Sequence, residues 1–149
     1  MLVGATVNLA PELFRAGVAE VPFVDDLTTM HDDTLPLTPP EWPEWGNPIE
    51  SAKAYAIIKA YAPYENIRAT NYPHILATGG LTDPRVTYWE PAKWVARLRA
   101  RRTDDGLTLL RTEMTAGHGG KAGKDVKCCT KGCKDGVGGD GRAVGDDPE

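Results

Sequence analysis

Apolar residues come in short blocks along this chain, and their spacing changes from block to block. Residues 1–9 (Met1-Leu2-Val3-Gly4-Ala5-Thr6-Val7-Asn8-Leu9) are small and apolar and predict a buried helix, which Gly4 and Ala5 would let lie close against a sheet. Pro11-Glu12-Leu13-Phe14 reads as a short turn, and Val18-Ala19-Glu20-Val21-Pro22-Phe23 as a buried strand ending at proline. Helical spacing returns over 49–61, where Ala54, Ile57, Ile58 and Tyr61 fall at i, i+3, i+4 and i+7 and share a face. His74–Thr78 predicts a strand. Glu90-Pro91 opens a helix, since proline is tolerated in a first turn. On that helix Trp94, Val95 and Leu98 face inward, while Lys93, Arg97, Arg101 and Arg102 face water. Asp104-Asp105-Gly106 is a turn before a strand at 107–112. The order strand, helix, strand, helix, strand predicts an α/β fold with a parallel sheet and right-handed crossovers.

Two stretches break the pattern. Residues 24–48 are rich in Asp, Thr and Pro with little periodicity and read as a long loop, a feature that is usually functional inside a compact domain. After Gly123 no period survives, and no Phe, Tyr or Trp follows Trp94. The chain therefore divides into a domain at 1–123 and a Gly-, Cys- and Asp-rich tail at 124–149 that is expected to be disordered.

Composition narrows the partners. At 149 residues the chain is long enough for one domain with a core. A net charge of −4 implies no broad basic face and argues against nucleic acid. The N-terminus lacks the positive region of a secretion signal, and no apolar run approaches the ~18 residues of a membrane span. A soluble, cytoplasmic location is expected. Cys128, Cys129 and Cys133 crowd together in the tail without a well-spaced fourth ligand, so neither a disulfide framework nor a zinc site is expected. No metal or other cofactor is implied.

The candidate chemistry lies in two loops. Asp83 follows Ile75-Leu76-Ala77-Thr78-Gly79-Gly80-Leu81, and His118 lies in Ala116-Gly117-His118-Gly119-Gly120 after the strand at 107–112. An acid after one strand and a histidine after the next is how an α/β-hydrolase sheet presents the last two members of a Ser–Asp–His triad. The alternatives are a turn aspartate before Pro84 and a solvent-exposed loop histidine. His31 is expected at the surface and His74 in a structural role. The four tryptophans, Trp42, Trp45, Trp89 and Trp94, are expected to pack rather than to form a stacking platform.

Several ordered blocks carry a more specific resemblance. They are Val21-Pro22-Phe23-Val24-Asp25, Leu27-Thr28-Thr29-Met30, Glu44-Trp45-Gly46-Asn47-Pro48, Ala62-Pro63-Tyr64-Glu65-Asn66-Ile67, Tyr72-Pro73-His74, Tyr88-Trp89-Glu90-Pro91-Ala92-Lys93-Trp94 and Ala116-Gly117-His118-Gly119-Gly120-Lys121. From Met1 to about Gly123 the chain resembles the C-terminal half of the catalytic domain in the oligopeptidase B group of the prolyl oligopeptidase family of serine peptidases. The resemblance implies a partial α/β-hydrolase fold. It implies a serine-type endopeptidase that cleaves short peptides after Arg or Lys, with no cofactor. By the same resemblance His118 is the general base, Asp83 holds its ring, and Glu41 meets the basic side chain before the cleaved bond. The family usually has a second acid two positions on, where this chain has Pro43, with Glu44 adjacent.

In that family a β-propeller precedes the hydrolase domain, and the nucleophile sits in a Gly-x-Ser-x-Gly-Gly turn directly before the helix that starts here at Met1. The propeller and serine elbow are therefore expected to lie outside this chain. Ser51, the only serine, starts a predicted helix and has no elbow context. The competing expectations are an inactive truncated remnant and another α/β hydrolase, an esterase or Pro-specific peptidase. Where the family places an amphipathic helix after its His-Gly-Gly loop, this chain has the polar tail, which a change of reading frame near Gly123 would explain.

Overall fold

A computed structural model of the chain describes residues 1–118. The expected boundary at Gly123, the disordered tail and the three cysteines lie outside the described residues. Helix α1 (Leu2–Leu9) leads through a 3-10 turn (Pro11–Leu13) to strand β1 (Ala16–Glu20). Three helices follow, α2 (Asp26–Met30), α3 (Thr38–Trp45) and α4 (Ala52–Tyr61), and then strand β2 (His74–Gly80). Helix α5 (Trp89–Arg101) connects β2 to β3 (Thr108–Glu113). The sheet has the order β1-β2-β3, and both pairings are parallel, in the register Val18 to Leu76 and Leu76 to Leu109.

The main core forms on one sheet face. Ala19, Ile75 and Ala77 of the sheet pack with Val7 of α1 and with Trp94, Val95 and Leu98 of α5, all buried. Alternate residues point the other way, where Val18 and Leu109 are each about half exposed. A second, smaller core gathers Leu27, Met30, Ile58 and Ala62, flanked by Phe23, Trp42, Trp45, Tyr55 and Tyr61.

Several sequence expectations need correction. The strand expected at Val18–Phe23 begins earlier and stops at Glu20, because Val21 adopts φ 40° and Pro22 has no N–H to continue a ladder. Val18 is exposed rather than buried. The closest neighbour of Gly4 is not the sheet: a Cβ there would lie 2.8 Å from Pro63 Cβ. The long loop expected over 24–48 holds α2 and α3, whose pairing the periodicity did not reveal. Their ties are side chain to backbone: Thr38 Oγ1 donates to the Thr29 carbonyl at 2.9 Å and Trp42 Nε1 to the Met30 carbonyl at 3.2 Å. The buried face of α4 runs through Tyr55, Ile58 and Tyr61, leaving Ile57 51% exposed. Arg102 does not face water. Its side chain is 7% exposed and donates to the Tyr72 carbonyl and to Asp104, with a further contact to Thr108.

Candidate active site

The two chemistry-bearing loops leave the C-terminal ends of adjacent parallel strands, β2 and β3. They are zipped together by backbone bonds: Leu81 N–H donates to the Glu113 carbonyl at 2.9 Å and Thr82 N–H to the Ala116 carbonyl at 3.3 Å, and Thr82 Oγ1 adds a third bond at 3.0 Å. Gly80 permits this approach. A Cβ there would stand 2.4 Å from the Ala116 oxygen and 2.7 Å from the Gly117 oxygen, a clash with backbone that no rotamer relieves.

The consequence is direct contact between Asp83 and His118. His118 Nδ1 lies 2.9 Å from Asp83 Oδ2 and 3.2 Å from Oδ1. The Asp83 side chain is fully buried, and that of His118 is 38% exposed. Asp83 is fixed by its own turn, its Oδ1 accepting from the N–H groups of Arg85 at 2.8 Å and Val86 at 3.0 Å. Asp83 thus makes two sets of contacts: one oxygen shapes the loop and the carboxylate also meets the ring. A carboxylate at Nδ1 favours the tautomer that carries its proton there, leaving Nε2 as the acceptor.

The imidazole opens on a cleft of about 480 Å³ whose walls include Glu41, Glu44, Trp45, Phe23 and Arg85. Glu41 and Glu44 reach it from α3, so the third residue singled out by the sequence shares a cavity with His118. Among the described residues neither acid makes an ion pair or a side-chain hydrogen bond. Phe23 arrives from the segment that Val21 turns out of the sheet, and it stacks edge-on against Trp45 with centroids 5.4 Å apart. Gly46, at φ 90°, ends α3 directly after Trp45.

The helix α2 forms part of the same wall through Thr29 and Met30, and its anchor is a residue to which the sequence reading gave no role. Glu90 is wholly buried in the first turn of α5. Its Oε2 accepts from the N–H groups of Val24 at 2.9 Å and Asp25 at 3.2 Å, and its Oε1 from Thr29 Oγ1 at 2.7 Å. Burial raises its pKa, and these bonds oppose the rise. Asp25, equally buried, pairs with Lys93 of α5. Arg97 lies 4.5 Å from the centroid of the Tyr64 ring and Lys93 4.8 Å from it, so these expected water-facing cations are engaged by protein groups. The signal available in the sequence was the pair of adjacent acids at 25 and 26 inside an apolar block.

The remaining candidates have local roles. His31 is exposed, with Nδ1 2.8 Å from the Leu27 carbonyl, and His74 Nδ1 accepts from the Leu107 N–H at 2.9 Å. Trp94 is fully buried in the main core, whereas Trp89 is 40% exposed. Ser51 caps α4, its Oγ accepting from Ala54 N–H at 3.2 Å, and it does not line the cleft. Among the described residues no group of three or more His, Cys, Asp or Glu side chains could hold a metal ion, and no helix is long and apolar enough to cross a membrane.

The structure thus sets an acid against an imidazole at the ends of adjacent parallel strands, beside a cleft lined by two further acids. The model of the prolyl oligopeptidase family matches residues 1–129, and the chain belongs to that family. It is 53% identical over 124 residues to Protease 2 of Moraxella lacunata and 51% identical over 124 residues to dipeptidyl aminopeptidase BI of Pseudoxanthomonas mexicana. Each match takes in 83% of this chain but only 18% and 17% of those proteins, so the chain spans less than a fifth of their length. Among solved structures it is similar to oligopeptidase B from Leishmania major, with a TM-score of 0.76 and 51% identity over 78% of this chain and 16% of that one. Oligopeptidase B from Trypanosoma brucei with covalently bound antipain gives a TM-score of 0.78 and 48% identity over 80% of this chain and 17% of that one. The fold is accordingly part of an α/β-hydrolase catalytic domain of a serine peptidase family.

Proposed function

We propose that the chain carries the acid and base of a serine oligopeptidase site that cleaves short peptides after Arg or Lys. The observation behind this reading is the 2.9 Å contact between buried Asp83 and part-exposed His118 at the mouth of a cleft that also holds Glu41. His118, oriented by Asp83, takes the proton of an attacking serine and returns it to the leaving amine, while Asp83 stabilises the imidazolium formed between the two steps. Glu41 receives the basic side chain of the substrate, since a carboxylate binds guanidinium through two charge-assisted hydrogen bonds. Glu44, on the same cleft wall, stands in for the acid that the family has where this chain has Pro43.

The nucleophile in this reading belongs to a Gly-x-Ser-x-Gly-Gly elbow joined ahead of α1, and the 149-residue chain by itself is inactive. Loss of a triad serine removes on the order of 10⁶ in kcat in a well-studied serine protease. Purified chain is expected to release no product from Arg-linked chromogenic substrates and to take up no fluorophosphonate label. A longer polypeptide with the elbow ahead of Met1 is expected to do both and to prefer Arg-linked over Pro-linked substrates. Labelling of Ser51 in the short chain, or a Pro preference in the long one, would overturn the assignment.

The 51% identity to a dipeptidyl aminopeptidase favours a second reading, in which the cleft carboxylates take the free amino end of a peptide. Arg-linked substrates with free and with blocked amino ends distinguish the two. Equal turnover supports the endopeptidase.

A further inference from the structure

Behind the cleft wall lies a group of carboxylates that the peptidase reading does not use. Asp25, Asp26 and Glu90 are wholly buried where α2 meets α5, and Glu65 joins them from the segment after α4. Among the described residues only one of the four, Asp25, forms an ion pair, with Lys93. Glu90 spends its oxygens on the backbone and side chain of α2. Asp26 Oδ1 accepts from the Leu27 N–H at 3.2 Å, but among the described residues its Oδ2 is buried with no partner, and so is Glu65 Oε2. An ionised carboxylate in that setting lacks the hydrogen bonds that burial of a charge demands, whereas a protonated one is tolerated.

We propose that Asp26, facing Glu65 and Glu90, is a proton-operated latch on α2. While Asp26 is protonated its burial is tolerated, and the bonds from Val24, Asp25 and Thr29 to Glu90 keep α2 against α5. When Asp26 ionises, α2 loosens, and with it the part of the cleft wall formed by Thr29 and Met30. The groups that face Asp26 are of both signs. Asp25 adjoins it on its own segment, Glu65 and Tyr61 come from the segment after α4 and from α4, Glu90 from α5, and the Met1 amino group from just ahead of α1, while Lys93 and Arg97 of α5 face Glu65. Burial acts first on Asp26 and the Glu65 carboxylate second, and the same burial lowers the Met1 amino group that opposes them.

Burial, and after it the charge of Glu65, pushes Asp26 up to about 7. Burial likewise raises Glu65, helped by the charge of Asp25. The sign follows by linkage. A carboxyl raised on folding contributes its stability in full below its unfolded value, 3.8, and loses it as pH rises to about 7, with no further loss beyond.

The experiment is denaturant unfolding of the full 149-residue chain from pH 5 to pH 8.5, followed by tryptophan emission. Trp42 reports on the latch through its bond to the Met30 carbonyl. For the parent, the folding equilibrium constant is expected to fall by up to tenfold per pH unit between pH 5 and pH 7 and then to level off. Asp26→Asn, which is neutral at every pH, is expected to remove most of that fall and to be more stable than the parent at pH 8. Glu65→Gln, which lifts the repulsion, should move the break in the profile to lower pH. Carbon-13 NMR of the aspartate carboxyls supplies the second measurement, with one resonance titrating near neutrality in the parent and absent from the Asp26→Asn variant. A parent whose stability is flat or rises over this range, one with no cooperative transition at any of these pH values, or an Asp26→Asn profile parallel to the parent would overturn the latch.

Discussion

The molecule has two cores, and they hold different parts of the candidate site. The main core, Trp94, Val95 and Leu98 against Ile75 and Ala77, fixes the strand ends from which Asp83 and His118 project. The smaller core, Leu27, Met30, Ile58 and Ala62, carries the α2–α3 wall with Glu41. The first is a sheet covered on one face, where register transmits position along every strand. The second is a cluster of short helices tied by side chain to backbone bonds. In the proposed function the acid and base therefore rest on the sheet core, and the residue that would select the side chain rests on the helix cluster.

The largest effect that tests this division is expected at Asp83. Asp83→Asn keeps an Oδ1 that can accept from Arg85 and Val86, so the turn and fold are expected to survive. Its amide, however, offers a donor to His118 where the carboxylate offers an acceptor, which favours the wrong imidazole tautomer. In the serine-bearing longer polypeptide, kcat is expected to fall by on the order of 10⁴, the loss seen for this change in a triad protease, with unfolding midpoints unchanged. A fall of less than tenfold would mean that the 2.9 Å contact is structural only.

One substitution in each core sharpens the division. Trp94→Ala removes a fully buried ring from the main core and is expected to lower stability by about 3–5 kcal/mol, a large fraction of what a domain this size possesses. It should take the Asp83–His118 pair down with it, read as loss of cooperative unfolding. Ile58→Ala in the smaller core is expected to lower stability by about 2–4 kcal/mol. It should raise KM for Arg-linked substrates in the longer polypeptide while leaving kcat within a few-fold. A kcat loss with unchanged KM would show that the two cores are not separable in function.

The same contrast explains what was legible in the sequence. Strands β2 and β3 and helix α5 were readable because each buries one face in the main core, so the burial pattern keeps the period of the element: Trp94, Val95 and Leu98 at helical spacing, Ile75 and Ala77 at strand spacing, whereas α1, expected to be buried, leaves Leu2 and Leu9 exposed. Asp83 and His118 were readable as loop residues at successive strand ends, although only the close pass of Ala116 and Gly117 over Gly80 closes the distance between them. The helices α2 and α3 were not readable. The first is five residues long, and the second runs through Pro39, Pro40 and Pro43, so local propensity argues against it, and contacts with α2, Phe23 and the smaller core hold it. On α4 the partner is a cluster of short helices rather than a sheet, so the buried face rotated to Tyr55 and Ile58 and left Ile57 exposed. Buried charge also defeats pattern reading: Glu90, Asp26 and Arg102 look like surface residues in the sequence and are inside because particular backbone groups and carboxylates meet them there.

The smallest effect falls on Glu41. Gln has the size of Glu and keeps an acceptor, so Glu41→Gln should leave α3 in place and remove only the charge presented to a basic side chain. A hydrogen bond to a charged group contributes about 1.5–3 kcal/mol, which in the longer polypeptide corresponds to roughly a 10- to 100-fold loss in kcat/KM for Arg-linked substrates. A substrate with a neutral side chain before the cleaved bond should be turned over as before, because nothing in its transition state meets the missing charge. Glu44→Gln should show the same selectivity with a smaller loss, since Glu44 is the more exposed of the two cleft acids. Equal losses on both substrates would mean that Glu41 supports the wall rather than reading the peptide. Glu44 would then be the sole cleft acid able to meet an arginine, and its substitution would have to show the larger loss.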